Sequence, residues 1–468
     1  MKERVVHYLT VLALLLFAMP ALSSRTHHYR HYAQATTSSS QAPQTTFVPA
    51  ASGNAQLSSL IDSLITNSSG NASIGVYIKS MKYGDSMYSR NIHESFTPAS
   101  TMKIMTAEAA LLYLGPDYRF STQLLTDAKS VKNGVLQGNL YIVLSGDPSL
   151  THDDLADLLD SLRSQQITAI SGNVYIDNTA YDQRFYGPGW IWSDKQYCYG
   201  APISASIINH NCPQVKVTTT KNFSGKSHSR KSRARKQVVT SSFSQVVTDV
   251  PDYNRTLFKG LISGMGVKVY GFVTFGSAPE NSALINAHSS KPLRELLTDM
   301  LKKSDNVIAG AVFKKMGQLY NRQPGSWENS SYAVSQILAS KASVNSSGMR
   351  ILDGSGLSPD NLATPAQMMQ VLDYAFHHNQ ISYDFISALP IAGVDGTLKH
   401  RMYNIARKVR AKTGSLAGSG VFSLTGYTVT ADKEPIAFVI MINGYKGFGW
   451  KYKAMEDKIV TSLTKYKR

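Results

Sequence analysis

The sequence is poor in cysteine and, beyond its N-terminus, has no long apolar stretch. No segment after residue 23 approaches the roughly 20 apolar residues of a transmembrane helix, so no later membrane span is expected. The only cysteines are Cys198 and Cys212, so none follows the apolar N-terminus to carry a lipoprotein anchor. In an exported chain, these two cysteines are candidates for one disulfide that closes a short loop, with two separate buried thiols as the alternative.

Acidic residues are scarce relative to basic ones. Lys and Arg together number 48, Asp and Glu number 31, and the formal net charge is +17. This excess favours anionic neighbours such as cell-wall polymers, lipid head groups or nucleic acid, without choosing among them. The 43% hydrophobic and 17% charged residues are ordinary for a globular protein, and the length gives material for two or three domains.

The N-terminus has the pattern of a secretory signal peptide. Lys2 and Arg4 precede an apolar core from Leu9 to Met19, and Ala21-Leu22-Ser23 is a small-residue cleavage site. We therefore expect a signal peptide over residues 1–23 and an exported, periplasmic protein. An uncleaved membrane anchor is the alternative.

Two further segments lack acidic residues altogether. Residues 24–56 are rich in Ser, Thr, Gln, Ala and Pro, a composition that predicts a disordered linker. Residues 221–236 contain seven Lys or Arg residues and resemble a polyanion-binding patch. Because Ser and Gly interrupt that run and Phe223 is its only aromatic residue, we favour a solvated surface loop over a dedicated binding site.

One predicted helix carries a hydroxyl and an amine three residues apart. It begins at Pro98-Ala99-Ser100-Thr101-Met102-Lys103 and runs to about Leu114, and it is apolar nearly all round, which indicates a buried helix. Residues at i and i+3 share a helix face, so Ser100 and Lys103 can touch. A lysine can take the serine proton if burial or a second cation lowers its pKa, and a helix N-terminus offers N–H groups to an oxyanion.

Two further short motifs follow this Ser-x-x-Lys pair. Ser304-Asp305-Asn306 follows a predicted helix over 292–303, and Lys412-Thr413-Gly414 ends a predicted short strand. Each motif is weak alone, as the second Ser-x-x-Lys at 462–465 shows. The three in this order are typical of penicillin-binding proteins and class A β-lactamases.

Each motif residue has a chemical role in such a site. Ser100 would attack a carbonyl, Lys103 would accept its proton, and Ser304 would relay that proton to the leaving amine. Asn306 would hold the substrate's peptide amide and orient Lys103. The oxyanion hole would be the backbone N–H groups of Ser100 and Ser415.

The third motif adds a second cation. Lys412 would bind a terminal carboxylate and help keep Lys103 neutral by like-charge repulsion. Thr413 would share the carboxylate, and Gly414 would let a substrate backbone approach the strand edge.

From about residue 57 onward the chain resembles class C low-molecular-mass penicillin-binding proteins, the D-alanyl-D-alanine carboxypeptidase/endopeptidases of peptidase family S13. Beyond the trio, the resemblance rests on residues 114–120, 187–190, 353–358 and 393–397. It implies an α+β, penicillin-binding/β-lactamase-like transpeptidase fold, with an antiparallel sheet between helices and a mostly β insert of one or two small domains.

The domain organisation follows from the motif spacing and from the loss of helical periodicity near residue 120. We expect the catalytic domain over 57–125 and 287–468 and the insert over 126–286, with strand-like segments to about Val273. We expect the Cys198–Cys212 disulfide inside the insert.

The resemblance implies a serine-type D-Ala-D-Ala carboxypeptidase that trims or cleaves peptidoglycan stem peptides through a Ser100 acyl-enzyme and binds β-lactams. It implies no cofactor, no metal and no nucleic-acid partner, and it leaves the oligomeric state open. A serine β-lactamase is one alternative, but there is no Glu-x-x-x-Asn segment between the first and last motifs, and the insert is long. A non-catalytic wall-binding or drug-sensing module is another, against which the intact trio argues.

Overall fold

The structure, a computed structural model, describes residues 52–68, 70–223 and 235–468. The predicted signal peptide, nearly all of the predicted linker and the middle of the basic 221–236 run therefore lie outside the described residues. Within the described ranges, no helix combines the length and the apolar character that crossing a bilayer requires.

A five-stranded antiparallel sheet is the framework of the part that carries the motifs. Its strands are β1 (Ser73–Ser80), β2 (Ser86–Arg90), β14 (Val409–Leu416), β15 (Val421–Val429) and β16 (Pro435–Asn443). They lie in the order β14-β15-β16-β1-β2. β15 and β16 are buried along nearly their whole length, which explains why β16 is apolar from Ile436 to Ile442.

Helices cover both faces of this sheet. Successive side chains of a strand point to opposite faces, and on β16 Ile436, Phe438 and Ile440 pack into one core while Ala437 and Val439 pack into the other. The first core is closed by α1 (Ser52–Thr66) and α10 (Trp450–Lys465). The second is closed by α2 (Met102–Tyr113), α5 (Leu293–Lys303), α6 (Asn306–Asn321), α7 (Trp327–Ala342), α8 (Pro365–His377) and α9 (Asn379–Ala388).

α2 lies in the middle of the second core. Every residue from Met102 to Leu111 is buried, as the absence of a polar face predicts. The chain thus places the predicted nucleophile at the N-terminal end of its most enclosed helix.

Between α2 and α5 the chain builds a second unit with its own core. One sheet has the order β12-β8-β6-β3-β13, with β3 (Ser121–Thr126), β6 (Leu140–Val143), β8 (Val174–Asp177), β12 (Val273–Phe275) and β13 (Ala283–Ser289). A smaller sheet contains β4 (Val131–Lys132), β5 (Val135–Leu136), β7 (Ala169–Ile170) and β11 (Lys268–Val269), and β9 (Gln214–Phe223) pairs with β10 (Arg235–Ser244). In chain order, this first sheet begins at Ser121 in β3 and ends at Ser289 in β13, while the predicted limits of the insert are 126–286.

Two helices, α3 (His152–Ser164) and α4 (Val250–Gly264), pack on these sheets. The expectation of strand-like segments as far as Val273 is wrong for residues 250–264. The local signals for α4 are present: Asp249 caps its N-terminus by accepting from the Asp252 N–H, and a proline occupies the first turn. Buried Val250, Asn254, Phe258 and Ile262 repeat every four residues.

Candidate active site

The predicted nucleophile and base are in direct contact. Ser100 is half-buried in a single turn, Ala99–Thr101, that leads into α2. Lys103 is fully buried, and its Nζ lies 3.0 Å from Ser100 Oγ. The same amine donates to Asn306 Oδ1 at 2.6 Å and to the Ser355 carbonyl at 2.6 Å, so these two acceptors direct it at the serine.

Burial controls the charge of Lys103. Loss of solvent lowers the pKa of this amine from 10.5 to about 7, although the carboxylates of Asp353 and Asp305 oppose the shift. At neutral pH, a large share of the amine therefore has a lone pair available for the serine proton.

The turn that carries Ser100 is held in a rare conformation by the 353–358 loop. Ala99 has a φ of 47°, in the left-handed region that a non-glycine residue seldom occupies. Gly356, itself at φ 78°, packs so closely against this turn that a Cβ there would overlap the Ala99 carbonyl oxygen. The strained residue immediately precedes the nucleophile, and the tight glycine contact keeps it in place.

The second motif lies in the short connection between α5 and α6. Ser304 ends α5 at φ 60°, and Asp305 caps α6 by accepting from the Ile308 N–H at 2.9 Å. Asn306 then faces inward, where its Oδ1 meets Lys103 and its Nδ2 donates to the Tyr199 carbonyl at 2.9 Å. Because an amide nitrogen carries two hydrogens, one N–H of Asn306 remains for a substrate carbonyl.

The third motif lies within β14 rather than at its end, which corrects the expected position. Lys412 is fully buried and donates to Ser304 Oγ at 2.9 Å and to the Thr413 carbonyl at 2.7 Å. Thr413 Oγ1 donates to Thr397 Oγ1 at 2.8 Å, which brings the 393–397 loop to the site. The three motifs thus form one connected set of hydrogen bonds.

The two buried amines affect each other differently from the expectation. Burial lowers the pKa of Lys412 well below its ordinary value, and the charge of Lys103 lowers it further. Burial, rather than repulsion by Lys412, is the main cause of the low pKa of Lys103. An anionic group beside Lys412 would attract its protonated amine and offset the repulsion from Lys103, so the site favours a negatively charged ligand there.

Gly414 is required for a reason that the sequence did not reveal. A Cβ at this position would lie 2.8 Å from the Pro98 carbonyl oxygen and 3.1 Å from the Ser100 nitrogen. The space next to Gly414 is thus filled by the Ser423 hydroxyl of β15, which is the nearest atom, and by the nucleophile's own turn. The neighbouring Ser415 is exposed, and the assignment of its N–H and that of Ser100 to an oxyanion hole stays a prediction.

Asp353 is a site residue to which the sequence analysis gave no role. Its buried carboxylate accepts from the Ser355 N–H and hydroxyl at 2.7 Å and from the Ser358 N–H at 2.8 Å. Trp190 of the second unit adds its indole N–H at 3.1 Å. The carboxylate folds the loop so that the Ser355 carbonyl reaches Lys103, and the Asp-Gly-Ser-Gly composition was the available signal for such an Asx turn.

The structure joins Cys198 and Cys212 in a disulfide with a Cα–Cα distance of 5.5 Å, the pairing that we expected. No group of three or more His, Cys, Asp or Glu side chains in the described ranges is arranged to hold a metal ion.

Comparison with known proteins identifies a family. The model of the family described as D-Ala-D-Ala carboxypeptidase 3 (S13) matches residues 57–246 and 232–466. A D-alanyl-D-alanine carboxypeptidase DacB of Haemophilus influenzae is 33% identical over 419 residues, which cover 80% of this chain and 86% of the relative. A D-alanyl-D-alanine carboxypeptidase of Actinomadura sp. is 29% identical over 445 residues, which cover 84% and 81%.

Solved structures agree with this grouping. The crystal structure of penicillin binding protein 4 (dacB) from H. influenzae superposes with a TM-score of 0.77 at 30% identity, covering 87% of this chain and 99% of that one. The same protein complexed with a β-lactam gives a TM-score of 0.72 at 28% identity, with the same coverage. The chain therefore belongs to the D-Ala-D-Ala carboxypeptidase 3 (S13) family of penicillin-binding proteins.

Proposed function

We propose that this chain is a serine-type D-Ala-D-Ala carboxypeptidase that cleaves peptidoglycan stem peptides through an acyl-enzyme on Ser100. The observation that carries the proposal is the 3.0 Å contact between Ser100 Oγ and the buried Nζ of Lys103. A serine needs an adjacent base to become a nucleophile, and a lysine with a pKa of about 7 is such a base.

Acylation uses all three motifs. Neutral Lys103 takes the Ser100 proton as Oγ bonds to the carbonyl carbon of the penultimate D-Ala. The N–H groups of Ser100 and Ser415 bind the oxygen that becomes negative. As the peptide bond breaks, the proton reaches the leaving amine through Ser304, whose hydroxyl is bonded to Lys412. Free D-Ala leaves, and the rest of the stem stays as an ester on Ser100.

Deacylation uses Lys103 as the base a second time. Lys103 takes a proton from water, the resulting hydroxide attacks the ester carbonyl, and the proton returns to Ser100 Oγ as the bond breaks. The products are the shortened stem and the original enzyme. No group beyond the side chains and water is needed to balance either step.

The C-terminal carboxylate of the substrate would be held by Lys412 and Thr413. No carboxylate hydrogen-bonds to Lys412 among the described residues, and this absence leaves the cation available to an anionic ligand. A β-lactam carries a carboxylate in the equivalent position, and its strained amide stands in for the peptide bond. Both ligands would therefore engage the same residues.

Export to the periplasm, where peptidoglycan is found, is part of the proposal. It is supported by the signal-peptide pattern of residues 1–23 and by two cysteines that form a disulfide, a bond that persists in oxidising compartments.

The experiment has two readouts on one protein. One sample of the purified enzyme is labelled with a fluorescent penicillin, and a second, untreated sample is supplied with a peptide ending in D-Ala-D-Ala while free D-Ala is measured. We expect both labelling and D-Ala release, with penicillin blocking the release. Labelling without release would indicate a drug-sensing module, and rapid turnover of penicillin without release would indicate a β-lactamase.

A further inference from the structure

The segment from Cys198 to Cys212, here called the disulfide loop, contacts the second motif near both of its ends. Near the start, the Tyr199 carbonyl accepts from Asn306 Nδ2 at 2.9 Å. Near the end, His210 Nδ1 lies 3.4 Å from Asp305 Oδ2. The disulfide joins these two ends covalently. One closed ring of the second unit therefore holds two consecutive residues of the catalytic motif.

The Tyr199 contact determines which way the Asn306 amide points. The two ends of an amide are nearly the same size, and their orientation is set by their partners. A backbone carbonyl only accepts, so the NH2 end of Asn306 must face Tyr199. The oxygen end then faces the amine of Lys103, which it meets at 2.6 Å. A reversed amide would place two donors, its own NH2 and the protonated amine, against each other.

The far end of the ring is also fixed in a rare conformation. Asn209, His210 and Asn211 have φ values of 49°, 57° and 48°, a left-handed turn of three successive non-glycine residues. Asn211 is fully buried, donates to the Pro202 carbonyl at 2.9 Å and accepts from the Ile208 N–H at 3.3 Å. A strained turn persists only when its surroundings hold it, and here the result is that His210 points at Asp305.

We propose that the disulfide loop is a positioning element for Asn306, and that an intact Cys198–Cys212 bond is required for normal acylation of Ser100. The ring keeps the Tyr199 carbonyl against the Asn306 amide, and the His210–Asp305 pair holds the ring to the motif. Without closure, Cys198 beside Tyr199 is no longer linked to Cys212, Asn306 can reverse, and Lys103 loses the acceptor that aligns it with Ser100. The inference rests on the proposed acylation of Ser100.

The test compares acylation rates at a temperature well below unfolding. The variant with Cys198→Ser and Cys212→Ser is mixed with a fluorescent penicillin, and its second-order acylation rate is compared with that of the unaltered protein. We expect a loss of about 10- to 100-fold, the size that a misplacement of about 1 Å in a catalytic group produces. Asp127→Asn is the matched control, because Asp127 accepts from Asn139 and Tyr141 inside the second unit and touches none of the three motifs. It should change the rate by less than about twofold.

A coupling measurement separates positioning from a general loss of structure. If the ring acts through Asn306, adding the cysteine changes to Asn306→Ala should lower the acylation rate by less than about a further twofold, since the residue through which they act is already gone. Losses that multiply, or unchanged acylation in the cysteine variant, would overturn the inference. A failure of the unaltered protein to form any Ser100 adduct would instead overturn the proposed function.

His210→Asn supplies a second variant if the cysteine variant does not fold. It keeps the disulfide, and Asn tolerates a positive φ. We expect an acylation loss of about three- to tenfold that also disappears in the Asn306→Ala background. An unchanged rate in this variant would contradict the role of the His210–Asp305 pair.

Discussion

The low pKa of Lys103 predicts a specific pH dependence of acylation. The burial of this amine lowers its pKa from 10.5 to about 7. With the ordinary value, only about 0.03% of the amine would be neutral at pH 7, whereas the lowered value makes about half of it neutral. The base form is lost as pH falls through 7, so acylation should slow on the acid side.

The expected size follows from the neutral fraction. At pH 5 about 1% of Lys103 is neutral, so the acylation rate should be about 50-fold lower than at pH 7 if this step limits it. Two carboxylates, Asp353 and Asp305, raise the pKa of the Lys103 amine and oppose the effect of burial. The charge of Lys103 in turn lowers the pKa of Lys412. Protonation of His210 at low pH strengthens its pairing with Asp305 and does not account for a loss.

The assay is stopped-flow acylation by a fluorescent penicillin between pH 5 and 8. The penicillin carboxylate stays ionised throughout this range, so the substrate does not contribute to the change. Circular dichroism at each pH verifies that the protein remains folded. A rate that is constant across the range, or faster at pH 5, would refute the assignment of Lys103 as the base.

Three further predictions concern substitutions at single positions. Glu108 on α2 is fully buried, and neither of its carboxylate oxygens has a hydrogen-bond partner among the described residues. Burial raises its pKa well above the ordinary value, so Glu108 lowers the free energy of unfolding increasingly as pH rises above 4.5. Glu108→Met should therefore raise the free energy of unfolding at pH 7 by about 1–3 kcal/mol in urea titrations, and an equal or lower value would contradict the burial argument. Gly356→Ala should slow acylation about 100-fold because its Cβ meets the Ala99 carbonyl, whereas Gly348→Ala, which has a similar φ and no neighbour within 4 Å, should not; equal rates for both would refute the contact. Lys412→Ala should slow acylation by benzylpenicillin about 10- to 100-fold but should affect its methyl ester much less, and an equal loss with both would argue against carboxylate binding by Lys412.

The sequence predicted what depends on local pattern. The hydrophobic character of residues 102–112 predicted a buried helix, and the structure confirms it. The contact between Ser100 and Lys103 follows from helical spacing alone. These features depend only on residues that are close to one another in the sequence.

The remaining features depend on contacts between distant segments. Asn306 and Tyr199 are separated by 107 residues, and Trp190 and Asp353 by 163, so no spacing rule connects them. The reason for glycine at 414 became visible only once β14 lay against the nucleophile's turn. For the low pKa of Lys103 the sequence left two causes open, burial and a second cation. Burial is the main cause, and it depends on the packed core.

The identity of the acylated residue is the most direct test of the account. The protein is treated with penicillin, digested and analysed by mass spectrometry, alongside Ser100→Ala. The account predicts one adduct of the mass of the intact penicillin on Ser100, and none in the variant. An adduct on any other residue, or no adduct on a correctly folded protein, would contradict it.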